Sequence, residues 1–381
     1  MLKGNKGEWS ELYVLVKLMA DGKLFQSDIN LNIDQENVYD VIKAYKGEYD
    51  YDLEFDREND LIIYKIKDGN KYQVSRKTID EFKRITNVLF LGIKKGKGLS
   101  FQIPSAEPML NDINVQRVKA SAGTKADIKL RIYDHRLAKE TDLGFSIKSL
   151  LGSNSTLFNT GPGNNFIFEV SDIDDIDLSN FNKTTYSPAG RISKLTHRIN
   201  RLEELGGKFE FSGIQSEQLW RNLKMVDGDL PSILGWSLYY RWLTSTSSLL
   251  EVTKLLEEND PLNFYNGKKS QQKLYEYKIK KFLVESAMGM TSETPWLGEY
   301  DSFGGVIIAK NDGDLVCFHI YDFNLFRNYL LNNTVFEQPS TGEDEDNPGS
   351  PRLTGKKYYY GWVYKEMNKF RFKINLQIRF K

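Results

Sequence analysis

The sequence predicts an α/β protein of the mixed, α+β kind, and three observations carry that expectation. Trp9, Leu12, Val16 and Met19 recur at helical spacing before an Asp21-Gly22 stop. Short β-like runs separated by turn signals fill residues 51–76 and 304–321, and residues 215–290 return to a helical pattern. The expected division is an N-terminal part and catalytic core over 1–213, a mainly helical insertion over 214–292, and a β-rich part over 293–381 that packs on the core.

Composition narrows the class. The chain has 381 residues, 40% of them hydrophobic and 27% charged, enough for a large core. Lys plus Arg and Asp plus Glu both number 52, so no global positive field announces a nucleic-acid partner, although local patches remain. Cys317 stands alone, which excludes an intramolecular disulfide and a cysteine-rich zinc site and fits a reducing cytoplasm. The first eight residues lack an apolar signal core, and the apolar stretch 233–252 is interrupted by Arg241 and several Ser and Thr, so no membrane span is expected.

Taken in order, the first helix carries Glu8 and Glu11 on its first turn and a half. Strands over 51–76 break at Glu58-Asn59-Asp60 and Asp68-Gly69-Asn70, and a helix over 78–85 follows. Residues 94–98 read as a basic, glycine-rich loop without phosphate-loop spacing. Strands over 125–133 and 143–149 are joined by a polar connector, 134–142. The loop 152–165 is rich in amides and hydroxyls, and a strand over 166–170 ends it. The acidic run 172–177 lacks the glycine and terminal glutamate of a calcium loop and reads as a solvated turn.

Further on, Trp220, Trp236, Tyr240 and Trp242 sit at core spacings in the helical region. Asn311-Asp312-Gly313-Asp314 marks a hairpin, and a helix over 323–331 and an exposed acidic loop over 338–351 follow it. Residues 370–381 alternate strictly, as one half-buried strand. Its polar face holds four cations, two amides and no acid, which suits either a nucleic-acid surface or a protected strand edge.

The chemistry-bearing feature is Asp127 on one strand and Ser146-Ile147-Lys148 on the next. Phosphodiester hydrolysis needs an activated water, a counter-charge and a stabilised leaving oxygen, and a divalent metal supplies all three. Magnesium takes oxygen ligands and keeps several waters, so Asp127, the main-chain carbonyl of Ile147 and one further carboxylate suffice. Lys148 is placed to orient or help deprotonate the water.

This arrangement resembles the PD-(D/E)xK nuclease superfamily, with Ser146 standing where the second acid is expected. The resemblance implies an outside carboxylate, for which Glu11 on the first helix is preferred and Glu8 competes; helical spacing does not separate them. Asn5-Lys6-Gly7-Glu8-Trp9-Ser10-Glu11, Gly144-Phe145-Ser146-Ile147-Lys148-Ser149, Phe336-Glu337-Gln338-Pro339, Tyr360-Gly361-Trp362 and Asn375-Leu376-Gln377-Ile378-Arg379-Phe380 look like the HpaII-type family of type II restriction endonucleases.

The resemblance implies a restriction-endonuclease-like core and a Mg2+-dependent enzyme that cuts double-stranded DNA at a short sequence in a bacterial cytoplasm. A matching DNA methyltransferase is implied genetically, and a homodimer on DNA is a natural way to cut both strands. Candidate DNA contacts are Ser149, Asn154, Thr156, Asn159 and Asn165, the cations near His197, Arg198 and Arg201, and Arg352. Two rival readings stay open: a non-catalytic DNA-binding protein and a structure-selective, resolvase-like nuclease.

Overall fold

The computed structural model describes residues 2–119, 126–152, 155–174, 176–183, 193–268, 270–299, 304–339 and 360–381. The helices are α1 (Lys6–Asp21), α2 (Ile79–Lys95), α3 (Glu107–Asp112), α4 (Leu178–Lys183), α5 (Lys194–Glu204), α6 (Glu217–Val226), α7 (Leu230–Leu243), α8 (Leu249–Asn259), α9 (Leu274–Ala287) and α10 (Phe323–Asn332). The strands are β1 (Lys23–Ser27), β2 (Ile33–Gly47), β3 (Asp52–Arg57), β4 (Leu61–Lys67), β5 (Asn70–Lys77), β6 (Ile128–Asp134), β7 (Lys139–Ser149), β8 (Thr156–Phe158), β9 (Asn165–Ser171), β10 (Lys208–Ile214), β11 (Gly305–Ala309), β12 (Leu315–His319), β13 (Thr334–Phe336), β14 (Val363–Glu366), β15 (Lys369–Asn375) and β16 (Ile378–Phe380). The result is a mixed α/β architecture in two compact units, Met1–Ser155 with Tyr300–Tyr329 and Thr156–Glu299 with Leu330–Lys381. The chain changes unit at 155/156, 299/300 and 329/330, whereas the sequence-based divisions fall at 213 and 292.

The first unit is built on a nine-stranded sheet in the order β1-β12-β11-β7-β6-β2-β3-β4-β5. β11 runs parallel to β7 and β12 parallel to β1, while the other neighbours are antiparallel, so the sheet is mixed. α1 starts where Asn5 accepts the Glu8 N–H at 3.0 Å and Glu8 accepts the Asn5 N–H at 2.9 Å. Such reciprocal caps contribute about 1 kcal/mol. The helix stops at Gly22, whose φ of 71° is a left-handed cap. Between these ends Trp9, Leu12, Tyr13, Val16 and Met19 are all buried, so α1 lies inside the unit.

Helix α2 presents a single apolar stripe, Phe82, Ile85, Leu89 and Ile93, to the same core. It runs ten residues past the expected end at 85, and Lys94 and Lys95 close its last turn instead of lying in a loop. Within the turn of the β11–β12 hairpin, Gly313 has φ of 96° and its carbonyl accepts the Tyr13 hydroxyl at 2.6 Å. That bond ties α1 to a hairpin three hundred residues later.

β11 and β12 are buried at every position, with Phe318 against Phe326 and Tyr329 of α10 on the face away from α1. Among them His319 is 1% exposed, stacked on Tyr39 with ring centroids 5.0 Å apart. Burial, and then the Arg136 charge, push its pKa down to about 4. The unfolded imidazole protonates near 6.5, so between these values the unfolded chain binds the extra proton and stability falls as pH drops from 6.5 to 4. We expect the loss to approach about 3 kcal/mol by pH 4. His319→Gln should flatten it in urea-unfolding curves at pH 7 and 4.5, and equal slopes in variant and parent would assign the acid sensitivity elsewhere.

The second unit has two smaller sheets, β10-β9-β15-β14 and β13-β16-β8. Phe168, Phe209, Trp236 and Tyr239 form an aromatic layer between α7 and the first of them, as the core spacing of the helical region implies. The alternating C-terminal run is two strands in two sheets rather than one twelve-residue strand. The break comes where Asn375 is buried: its amide donates to the Gly161 carbonyl at 2.9 Å and to Asn165 Oδ1 at 2.8 Å, and its oxygen accepts the Thr160 hydroxyl at 2.6 Å. The polar face is not a bare cationic stripe either. Arg371 and Lys369 share Glu169, Arg371 also reaches Glu366, and Arg379 pairs with Glu337 at 2.7 Å. Period-two reading sees one strand's own residues and cannot see acids contributed by its neighbours.

Candidate active site

In the first unit, β6 and β7 form a hairpin whose register runs from Ile128↔Phe145 to Asp134↔Lys139. Its turn is four residues, 135–138, because both strands extend further than the expected connector allowed. One step before Ile128, Asp127 lies opposite Ser146. Side chains alternate across a strand, so Asp127, Ser146 and Lys148 belong to one face, while Phe145 and Ile147 turn into the core on the other.

Asp127 is not yet in the ladder, and its carboxylate does the work a main-chain carbonyl would do there. Its Oδ2 accepts the Ile147 N–H at 2.7 Å. The N–H and C=O of one strand residue leave on the same edge, so the Ile147 carbonyl also lies on the Asp127 side of β7. Lys148 is half-buried on β7 past the start of β6, and it pairs in register with Ile308 of β11. Desolvation lowers its pKa below the usual lysine range, against the opposing pull of Asp127 and Glu11.

Helix α1 brings Glu11 to the same place. Its carboxyl is raised to about 7, first by burial and then by the Asp127 and Glu8 charges, with Lys119 and Lys148 pulling the other way. Asp127 and Glu11 are thus near enough for the charge of the one to act on the other, as two carboxylates that share a cation must be. Glu8 differs in placement, since its Oε2 caps the helix N-terminus on the Asn5 N–H. A cavity of about 20 Å3, room for one water-sized occupant, is lined by Glu11, Asp127, Tyr45, Lys46 and the apolar Leu12, Leu15, Val118 and Ile128.

Lys46 and Glu48 were not foreseen. Lys46 is 4% exposed and Glu48 3%. The ammonium lies 2.7 Å from Glu48 Oε1 and donates to the Arg117 carbonyl at 2.9 Å. A signal existed: beyond Ala44, Lys46 takes the next inward position of β2, where a half-buried strand places apolar residues, and Glu48 follows just past the strand's end.

The expected DNA contacts fare differently. Ser149 donates to Ser10 Oγ at 2.8 Å and accepts the Leu151 N–H at 3.2 Å, which fixes the chain leaving β7 onto α1. Asn165 is fully buried and its amide nitrogen donates to the Pro162 carbonyl and to Gln215. Arg198 is 1% exposed, with its guanidinium on the main-chain carbonyls of Gly361 and of Asn182, the latter at 2.9 Å. Neither side chain is offered to solvent. Thr156 and His197 are half-buried, Asn159 is exposed, and Arg201 is exposed beside Glu204 at 2.9 Å. Asn154, Arg352 and most of the acidic loop lie outside the described residues. Among the described residues no helix is long and apolar enough to cross a membrane.

Comparison with known proteins adds a separate line of argument. No solved structure gives a significant match. The chain is 32% identical over 382 aligned positions to the type II restriction enzyme HpaII of Haemophilus parainfluenzae, covering 99% of this chain and 98% of that one. The family model described as HpaII restriction endonuclease matches residues 5–380. A match of that extent, spanning Glu11, Asp127 and Lys148 alike, shows that the chain belongs to the HpaII restriction endonuclease family, the site-specific deoxyribonucleases of type II restriction.

Proposed function

We propose that this endonuclease hydrolyses double-stranded DNA at a short sequence with Mg2+, from a PD-(D/E)xK-type centre in which Glu11 replaces the acid missing at Ser146. The observation that carries the reading is the convergence of Glu11, Asp127 and Lys148, drawn from α1 and the β6–β7 hairpin and coupled electrostatically to one another. The donor set fits a hard cation: two carboxylates and the Ile147 carbonyl are all oxygen. Among the described residues no group of three or more His, Cys, Asp and Glu is placed to hold a metal ion.

When bound, Mg2+ supplies charge to the phosphate and lowers the pKa of an attacking water. Asp127 and Glu11 would hold the ion, and the Ile147 N–H keeps the Asp127 carboxylate from rotating away. Lys148, whose charged form is disfavoured by burial, would orient the water and in its neutral form take the water's proton as the water oxygen joins phosphorus and one backbone P–O bond breaks, the leaving oxygen taking a proton from solvent. DNA is the substrate, and two copies of the chain acting together would cut both strands.

Incubation of plasmid with protein and Mg2+, followed by run-off sequencing, should give discrete fragments ending at one sequence; retarded but uncut DNA would sink the reading. Glu11→Gln should remove cleavage. Because the folded carboxyl titrates near 7 and the unfolded one near 4.5, metal-free stability of the parent declines as pH rises across that window. Glu11→Gln should therefore be more stable than the parent at pH 8, by about 2 kcal/mol after screening, and no more stable at pH 4.5. Full activity in Glu11→Gln together with a dead Glu8→Gln would reassign the acid.

A further inference from the structure

We propose that Lys46 is a positioning residue, a resident counter-charge whose buried ammonium lets Glu11 and Asp127 share one cavity before a divalent cation arrives. The inference rests on the metal site proposed above. Lys46 lies on the inward face of β2 near its end and lines the cavity with both carboxylates. An unpaired ammonium there would be too costly to bury, and two contacts remove that difficulty: Glu48 Oε1 at 2.7 Å and the Arg117 carbonyl at 2.9 Å.

The partner acid does not cancel the effect, because of where it sits. Glu48 is absent from the cavity lining, and its second oxygen accepts the Gln116 N–H at 3.1 Å. Lys46 is thus the member of the buried ion pair that shares a cavity wall with Glu11 and Asp127. It is held rigidly: Tyr51 donates to the Asn114 carbonyl at 2.8 Å and Arg117 to that of Gly47 at 3.3 Å, so residues 114–118 and the end of β2 are tied together. Burial lowers the Lys46 pKa from the usual lysine range, and Glu48 first and Glu11 last work against that loss. Lys46 thereby adds to Lys119 and Lys148 in offsetting the Asp127 charge felt by Glu11, beside a space that admits a single water.

A counter-charge and a mere structural brace differ in the sign of their effect on metal binding. Removing a cation near a divalent site tightens it; removing an anion loosens it. The double variant Lys46→Met with Glu48→Gln leaves no buried charge behind, and it should bind Ca2+, read by calorimetry at pH 8, roughly tenfold more tightly than the parent. Glu48→Gln alone should bind more weakly, and a brace would predict weaker binding in both. If the double variant proves unfolded by circular dichroism, tighter Ca2+ binding in Glu48→Gln alone still overturns the proposal.

A metal-free arm keeps this test apart from the metal assignment. In chelator, the double substitution should lower Tm by about 5 °C in the parent and by less than half of that in a Glu11→Gln background, where there is no second carboxylate to offset. Equal losses in both backgrounds overturn the counter-charge. If parent and Asp127→Asn take up Ca2+ identically, the metal site itself fails, and the chelator arm still decides the role of Lys46.

Discussion

Asp127→Asn and Lys148→Met are expected to lose cleavage in Mg2+ by about a thousandfold or more while DNA retention in Ca2+ persists. The choice of Asn matters. Asp127 has a structural duty besides its chemical one, since its Oδ2 satisfies the Ile147 N–H at 2.7 Å. Truncation to Ala would orphan that donor and cost about 1–3 kcal/mol, confusing a folding defect with a catalytic one. An asparagine oxygen still accepts the bond but carries no charge to hold a cation.

For Lys148, methionine keeps the length of the side chain and removes a charge that burial already disfavours, so the fold should survive. Wild-type cleavage by either variant would remove that residue from the centre. Loss of DNA retention in parallel with cleavage would move it from chemistry to binding.

The second large effect is expected where chemistry is absent. Arg198→Met should destabilise the second unit by about 3 kcal/mol, lowering Tm by about 6–12 °C, because the carbonyls of Gly361 and Asn182 lose a charged donor in a buried site. DNA binding measured well below that Tm should be unaffected. An unchanged Tm with lost DNA affinity would restore Arg198 to the DNA contacts its basic neighbourhood suggests.

How much was legible in the sequence follows from where each signal resides. Helix α1, the β3–β4–β5 meander and the β11–β12 hairpin were readable because period, stops and turn pairs are local: Trp9 to Met19 before Asp21-Gly22, Asp68-Gly69-Asn70, Asp312-Gly313. β1 and β2 were not assigned, since β2 is largely half-exposed along its first half and its inward positions end in a charged residue, Lys46. Arg198 and Asn165 looked like surface readers of DNA because a basic or amide-rich stretch carries no sign of the carbonyls that burial will supply. The acid and lysine of the hairpin were legible as a pair; Glu11 could be set apart from Glu8 in placement only once the helix cap had claimed the latter.

The parallel pairing of β11 with β7 has a consequence for the order of assembly. β7 ends at Ser149 and β11 begins at Gly305, so on a growing chain the site-bearing strand waits for its neighbour while roughly 150 residues are made. At about 5–20 residues per second that is roughly 8–30 s. Until then β7 is an open edge with unpaired amides and carbonyls, and so is a chain that stops at residue 299. The sheet that frames the Asp127–Lys148 hairpin therefore closes late, through a contact of high sequence separation, and the nascent protein stays without a finished scaffold for its chemistry for most of its synthesis.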